Sequence, residues 1–391
     1  MWCATLALLA GCDPKPGSFG HDLDFLKKHD TGLVVLRSGD ARVIVSPKYQ
    51  GKVFTSTDSG EEGPSFGWIH YKAFEGPLDA HMNAYGGENR LWLGPEGGRF
   101  SLFFPPGAKM EFANWKTPAA IDTQPWRVRK QTDSNVIMQK EMRLTNYAGR
   151  ELNITIGREV MIWSREGISK RLQVPLDDQV AAVGYETRNM LLNGGIEPWN
   201  DSTGMPCVWM LDMLKPSPST VIVIPYQSGM GDTGKPATTD YFGEIPGDRI
   251  KFDNGVIFFK ADGKNRGKLG VHPSRALGVI GSYDSEHAVL TIAKFKVDSS
   301  GRYLNQEWNT VKPPFSGDAV NAYNDGPLAD GSQMGPFYEL ESVAPAWSLA
   351  SGALKSYGHD VFHFTGTEAS LDKISRKVLG VSIEQIKQVF R

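Results

Sequence analysis

Gly335-Pro336-Phe337-Tyr338-Glu339-Leu340-Glu341-Ser342-Val343-Ala344-Pro345 begins and ends at chain breakers and carries strand-forming residues in between. Side chains alternate across a strand, so Tyr338, Leu340 and Ser342 face one way and Glu339 and Glu341 the other. Two carboxylates then share one face. Like charges that close stay solvated, hold a cation, or push one pKa up until it exchanges protons near neutrality. The stretch marks either a site, with Glu339 or Glu341 as its acid or base, or a sheet face carrying two unrelated glutamates.

Just upstream, Asn321-Ala322-Tyr323-Asn324-Asp325-Gly326-Pro327 concentrates oxygens and amides. Asn324 and Asp325 suit sugar hydroxyls or a hard cation such as calcium, whereas such a run is more often only a tight turn. Its spacing is not that of an EF-hand loop. Calcium is an ion this reading admits; no cofactor is required.

Nearer the start, Tyr85-Gly86-Gly87-Glu88-Asn89-Arg90-Leu91-Trp92-Leu93-Gly94-Pro95-Glu96-Gly97-Gly98 is rich in glycine. If Glu88 to Trp92 is extended, Glu88, Arg90 and Trp92 line one face. An indole stacks on the apolar face of a pyranose, and a guanidinium offers fixed donors to vicinal hydroxyls or a carboxylate. The alternative is that Glu88 and Arg90 pair while Trp92 fills the core. Lys268 to Arg275 adds Lys268 and His272, and His81 lies just before the glycine-rich stretch. Either histidine offers a proton donor, although a lone histidine is more often structural. His359 and His363 share a strand face with Val361, which favours packing.

The 391 residues contain 43 glycines and 24 prolines, above the roughly 12% these two types usually contribute. Many short strands joined by tight turns are expected. Leu33–Leu36 and Ala41–Ser46, split by Ser38-Gly39-Asp40, read as a hairpin, and strands are predicted over 136–144, 152–163, 220–225, 255–259, 288–297 and 354–364. Gly281-Ser282-Tyr283-Asp284 reads as a turn. Leu152, Ile154 and Ile156 alternate with Asn153, Thr155 and Gly157, as in a sheet with one wet face. No fixed-period repeat points to a propeller or solenoid, which leaves a β-sandwich. Clear helix signals come at the end: Ser382-Ile383-Glu384-Gln385 is a capping box, ahead of it Leu371, Ile374 and Val378 form an apolar stripe, and two short helices are expected to close the sandwich.

The net charge of −2 supplies no electrostatic footprint for nucleic acid. Walker, His-Glu-x-x-His and Cys-x-x-Cys patterns are absent, and phosphate-loop, serine-hydrolase and zinc-protease readings are set aside. The cysteines are Cys3, Cys12 and Cys207. Leu9-Ala10-Gly11-Cys12 closes an apolar run too short to span a bilayer and resembles a bacterial lipobox, although no Lys or Arg precedes it. The expected layout is a lipoprotein signal peptide over 1–12 ending at the lipidated Cys12, a tether and short helix over 13–30, and one β-sandwich domain over 31–391. That motif implies a lipid-anchored protein of the bacterial cell envelope, touching the membrane through its anchor alone.

Taken together, the Gly86–Glu96 stretch and Phe337–Ser342, followed by Pro345 and Leu349, resemble the galactose mutarotase-like superfamily, and more closely a family of uncharacterised bacterial lipoproteins within it. The resemblance implies an all-β supersandwich with a carbohydrate site on its concave face. In aldose mutarotases a late-strand glutamate takes the anomeric hydroxyl proton while a histidine protonates the ring oxygen. Glu339 or Glu341 matches that glutamate and Arg90 the early arginine that holds sugar hydroxyls. The mutarotase His-Gly-Gly motif is missing, and His81 and His272 are candidates by chemistry only. The expected function is carbohydrate binding, with an aldose 1-epimerase-like activity, a non-catalytic glycan-binding role, or, third in rank, a polysaccharide lyase or hydrolase activity.

Overall fold

The computed structural model describes residues 14–228 and 235–391; the Leu9–Cys12 motif lies outside them. Three antiparallel sheets account for the strands. The first joins Val34–Ser38, Ala41–Ser46 and Lys52–Thr57, with Gly39 at φ 58° making the hairpin turn, a conformation glycine adopts without steric cost. The helix Phe19–His29 lies against this sheet. Its first amides are capped by Ser18, whose side chain accepts from His21 N, and Phe19, Leu23 and Leu26 pack on Ile44, Tyr49 and Phe54.

The other two sheets form the sandwich. A ten-stranded sheet includes Val180–Asn193, Leu354–Gly366 and Glu151–Ile162 among its central members. A five-stranded sheet runs, edge to edge, through Gly267–Val271, Val320–Asn324, Tyr338–Val343, Cys207–Leu214 and Arg90–Gly94. Leu91, Leu93, Met210, Leu340 and Ala322 of the short sheet share one core with Ile156, Val183, Tyr185 and Ile280 of the long one. On the long sheet's other face, Phe362, Phe364 and Ile292 are covered by Ile168, Leu371, Ile374, Ile383 and Ile386. Those last residues belong to the helices Arg165–Leu172, Glu368–Val378 and Ile383–Gln388. The capping box at Ser382 and Gln385 is formed.

Alternation is strict along Glu151–Ile162, where Leu152, Ile154 and Ile156 are buried and Asn153 is exposed. Two expected turns are strands. Gly281 sits inside Val279–Asp284, because a Cβ there would come within 2.9 Å of Leu379 and 2.7 Å of the Thr291 carbonyl oxygen; this glycine permits close packing. Likewise Asn321–Asn324 pairs with Tyr338–Glu341, and the chain leaves the sheet only at Asp325. The helix Arg165–Leu172 carries little apolar content and goes unsignalled by periodicity; Ser164 caps it by accepting from Gly167 N.

Candidate active-site cleft

The five-stranded sheet has one face in the core and the other open. Cross-strand partners Arg90, Leu211 and Glu341 share the open face, and alternation adds Trp92, Trp209, Glu339, Tyr323 and Lys268. Residues buried on the reverse of the same strands are Leu91, Met210, Leu340 and Ala322. The open face floors a cavity of ≈ 400 Å³, walled by segments that include His70, His81, Glu96, Trp115, Trp308 and Phe337. A second cavity of ≈ 520 Å³ shares Glu96, Arg266, Lys268 and Trp308 with the first and extends past Asp325 and Leu328. They are two lobes of one cleft.

The paired glutamates do different things. Glu339 Oε1 accepts from Arg90 Nη2 at 2.7 Å and borders the cavity. Burial is the main influence on its carboxyl; Arg90 opposes the upward shift and Glu341 adds to it, and the result is a pKa of about 7. Glu341 lies deeper, fully buried, and its Oε2 accepts from Trp209 Nε1 at 2.8 Å and Lys268 Nζ at 3.0 Å. Its Oε1 has no partner among the described residues. A third carboxylate, Glu96, follows Pro95. Its own amide donates to Gln306 Oε1 at 2.6 Å, and burial raises its pKa against the pull of Lys268 and the Trp308 indole.

Cations and rings alternate over the floor. The Arg90 guanidinium lies 4.7 Å from the Trp92 ring centroid and the Lys268 ammonium 4.6 Å from that of Trp209. His81 Nδ1 is 2.6 Å from the Trp115 carbonyl oxygen, so that nitrogen carries a proton and donates it there, and its ring stacks on Phe112 at 4.5 Å. Nε2 remains for exchange. Arg90 Nε and Trp115 Nε1, both buried on residues that line the cavity, have no partner among the described residues. Leaving such a donor unmet costs roughly 1–3 kcal/mol.

The structure thus gathers Arg90, Trp92, Lys268, Glu339 and His81 at one cavity with Glu341 beneath. Other expected residues fall elsewhere. Glu88 does not share a face with Arg90: the strand starts at Arg90, and Glu88 belongs to a segment bonded back to Phe54. Its Oε1 accepts from Ser56 at 2.7 Å and meets His363 Nε2 at 3.0 Å in the interior. Trp92 is only 6 % exposed, covered by Arg90, Phe103 and Trp209, so it backs the clamp and offers no free face for stacking. His272 is exposed, bonded to Ser274, and absent from both lobes. Asn324 faces away: its side chain joins Gly263 N and Asn265 O. Asp325 borders the second lobe, where it accepts from Tyr323 at 2.9 Å and Gly335 N at 3.2 Å. Those partners occupy the oxygens offered to calcium, and among the described residues no group of three or more His, Cys, Asp and Glu is placed to hold a metal ion.

Glu96, Trp115, Trp209, Arg266 and Trp308 were not singled out from sequence. Glu96 had a signal, a lone charge between Pro95 and two glycines; the others come from scattered segments. The sequence also contains Gly63-Pro64-Ser65-Phe66-Gly67, a match to the serine-hydrolase elbow, so that class is excluded by structure instead of by motif. Ser65 is buried, bonded to Asp22 and Thr55, among the described residues has no hydrogen bond to a histidine, and is followed by a single 3-10 turn, Tyr71–Phe74, where the elbow needs an α-helix.

Residues 17–390 match the model of a family described as "Family of unknown function (DUF6786)". No curated protein matches the sequence. Among solved structures, a candidate aldose 1-epimerase from Escherichia coli K12 superposes with a TM-score of 0.52 at 12% identity, over 86% of this chain and 99% of that one. A galactose mutarotase-like protein from Lactobacillus casei ATCC 334 gives 0.50 at 12% identity, over 85% and 100%. A Synechocystis sp. PCC 6803 protein gives 0.52 at 12%, over 86% and 96%. The fold is that of the galactose mutarotase-like sandwich.

Proposed function

The chain belongs to the DUF6786 family, a family of unknown function, and we propose that its cleft binds a carbohydrate and interconverts the anomers of an aldose. The observation that carries this reading is the convergence, on one cavity, of the cations of Arg90 and Lys268 with a carboxylate poised near neutrality. Hydroxyls of a sugar are offered the Arg90 and Lys268 side chains, which line the cavity. Glu339, with a pKa of about 7, is matched to take the anomeric hydroxyl proton at neutral pH. His81, held through Nδ1, in its doubly protonated form delivers the Nε2 proton to the ring oxygen. The C1–O5 bond breaks, an open-chain aldehyde forms, and reclosure on either face returns both protons.

A non-catalytic glycan-binding role has one observation in its favour. Arg90 at 2.7 Å from Glu339 stabilises the carboxylate and weakens it as a base. Two-dimensional exchange NMR of candidate aldoses decides between the two. Anomer exchange accelerated by the protein and lost in Glu339→Gln supports catalysis; saturable binding with no acceleration supports binding alone.

The envelope location rests on Leu9–Cys12. Full-length protein that fractionates with membranes, and a Cys12→Ala variant that does not, support it; identical fractionation overturns it. Calcium is tested by comparing sugar-induced thermal shifts with calcium and with chelator, and equal shifts rule it out as a requirement.

A further inference from the structure

The second lobe has no part in the anomeric chemistry, yet it is built for a ligand. It continues the first without a break, sharing Phe242, Trp308, Glu96, Arg266, Lys268 and Tyr323 within a common wall, and at ≈ 520 Å³ against ≈ 400 Å³ it is the larger. A monosaccharide seated over Glu339 leaves it empty.

Where the lobes meet, the wall offers open rings that the floor of the first lobe does not. Phe242 is 42 % exposed, where Trp92 is sealed. The Arg266 guanidinium lies 3.8 Å from the Phe242 ring centroid and its Nε donates to the Tyr323 hydroxyl at 3.3 Å, which steadies ring and cation at the junction of the lobes. Trp308, half-buried, lines the same wall and stacks on Trp115 of the first lobe at 6.0 Å. Gln306, 5 % exposed, borders the second lobe with its Oε1 committed to the Glu96 amide, while its Nε2 has no partner among the described residues. Open aromatic faces beside fixed polar groups suit a pyranose, which has an apolar face and a hydroxyl edge.

We infer that the cleft takes a linked oligosaccharide of at least two units, with the terminal reducing unit in the Glu339 lobe and the next unit in the lobe of Gln306, Asp325 and Leu328, against the shared rings of Phe242 and Trp308. This rests on the carbohydrate reading of the first lobe. Glu96 and Arg266, shared by both lobes, sit where the glycosidic link crosses.

Calorimetry tests it, using glucose, galactose and xylose against their di-, tri- and tetrasaccharides of β1,4 and α1,4 linkage. The expected result is a series in which the second unit tightens binding about tenfold, the scale of one good aromatic and polar contact set, with a smaller gain from the third. Leu328→Trp, at an exposed residue of the second lobe alone, fills the lobe and abolishes the increment while leaving the monosaccharide's affinity in place. Oligosaccharides that bind no tighter than their monosaccharide, or an increment untouched by Leu328→Trp, overturn the inference and leave the first lobe's reading standing. No binding by any sugar of any length overturns both.

Discussion

Replacing Glu339 by Gln separates ionisation from packing. The folded protein holds this proton up to about pH 7, whereas an unfolded chain releases it near 4.5. Between those values the folded state binds more protons, so this group makes stability fall as pH rises, and its whole penalty is present above 7. Each pH unit spent between the two values is worth about 1.4 kcal/mol, and the penalty grows by on the order of 2–3 kcal/mol between pH 5 and pH 8. Gln does not titrate. Whatever constant offset the substitution brings through the altered Arg90 contact, the variant should gain on the parent by that amount over the interval. Urea unfolding followed by tryptophan fluorescence at both pH values reads it directly. A stability difference that is the same at pH 5 and pH 8 refutes the argument that burial has lifted Glu339.

The same ionisation sets the pH dependence of catalysis, since anomer exchange at the cleft should rise through about pH 7 as Glu339 loses its proton; a rate flat from pH 5 to 8 counts against Glu339 as the base. Asp212→Asn should cost about 3 kcal/mol or more, because Asp212 accepts from Asn89 Nδ2 at 2.6 Å and pairs with His359 Nε2 at 2.8 Å, both buried, and an amide cannot accept on both sides; a loss under about 1 kcal/mol in urea unfolding contradicts this. Lys268→Met should destabilise by a similar amount, about 3 kcal/mol, by leaving the Glu341 charge with Trp209 alone, and Lys268→Arg should recover part of it in the same assay. Gly97→Ala places a Cβ 2.1 Å from the Glu307 carbonyl oxygen, which pushes apart two walls of the cleft; the melting temperature and any sugar-induced thermal shift should both fall.

How much of this was readable beforehand follows from the range of the signals. The alternation of Tyr338–Val343 is local, and it correctly set Glu339 and Glu341 on one face, away from Leu340 and Ser342. Which of the two reaches the cavity was not legible, because that depends on Trp209 and Lys268, which lie more than 70 positions from Glu341 in sequence. Glu88 misled for a related reason. Period-two reasoning assumes an unbroken strand, and Gly86 and Gly87, at φ 80° and 123°, turn the chain just before the strand begins. Trp92 has the composition of a stacking platform, but exposure is a tertiary property and Arg90 covers the ring. The second lobe had no sequence signal, since Phe242, Gln306 and Leu328 come from separate loops with no shared motif.

Beneath the cleft floor, Asn89, Asp212 and Ser342 point inward beside the outward-facing Arg90, Leu211 and Glu341. A buried chain of contacts ties them together: Arg158 Nη2 donates to Asn89 Oδ1, Asn89 to Asp212, Asp212 meets His359, and His359 Nδ1 lies 2.8 Å from Ser342 Oγ. The clamp above it joins residues 249 positions apart, Arg90 and Glu339. Contacts that distant form late, after much loop-closure entropy has been overcome. During synthesis the early strand Arg90–Gly94 must wait for its one sheet neighbour until Cys207–Leu214 has left the ribosome, and the acid–base pair cannot exist before Val343 emerges. A ribosome-stalled fragment ending ahead of that point is therefore expected to hold folded sheet yet be blind to sugar, and binding competence should arrive as a single step near the end of the chain.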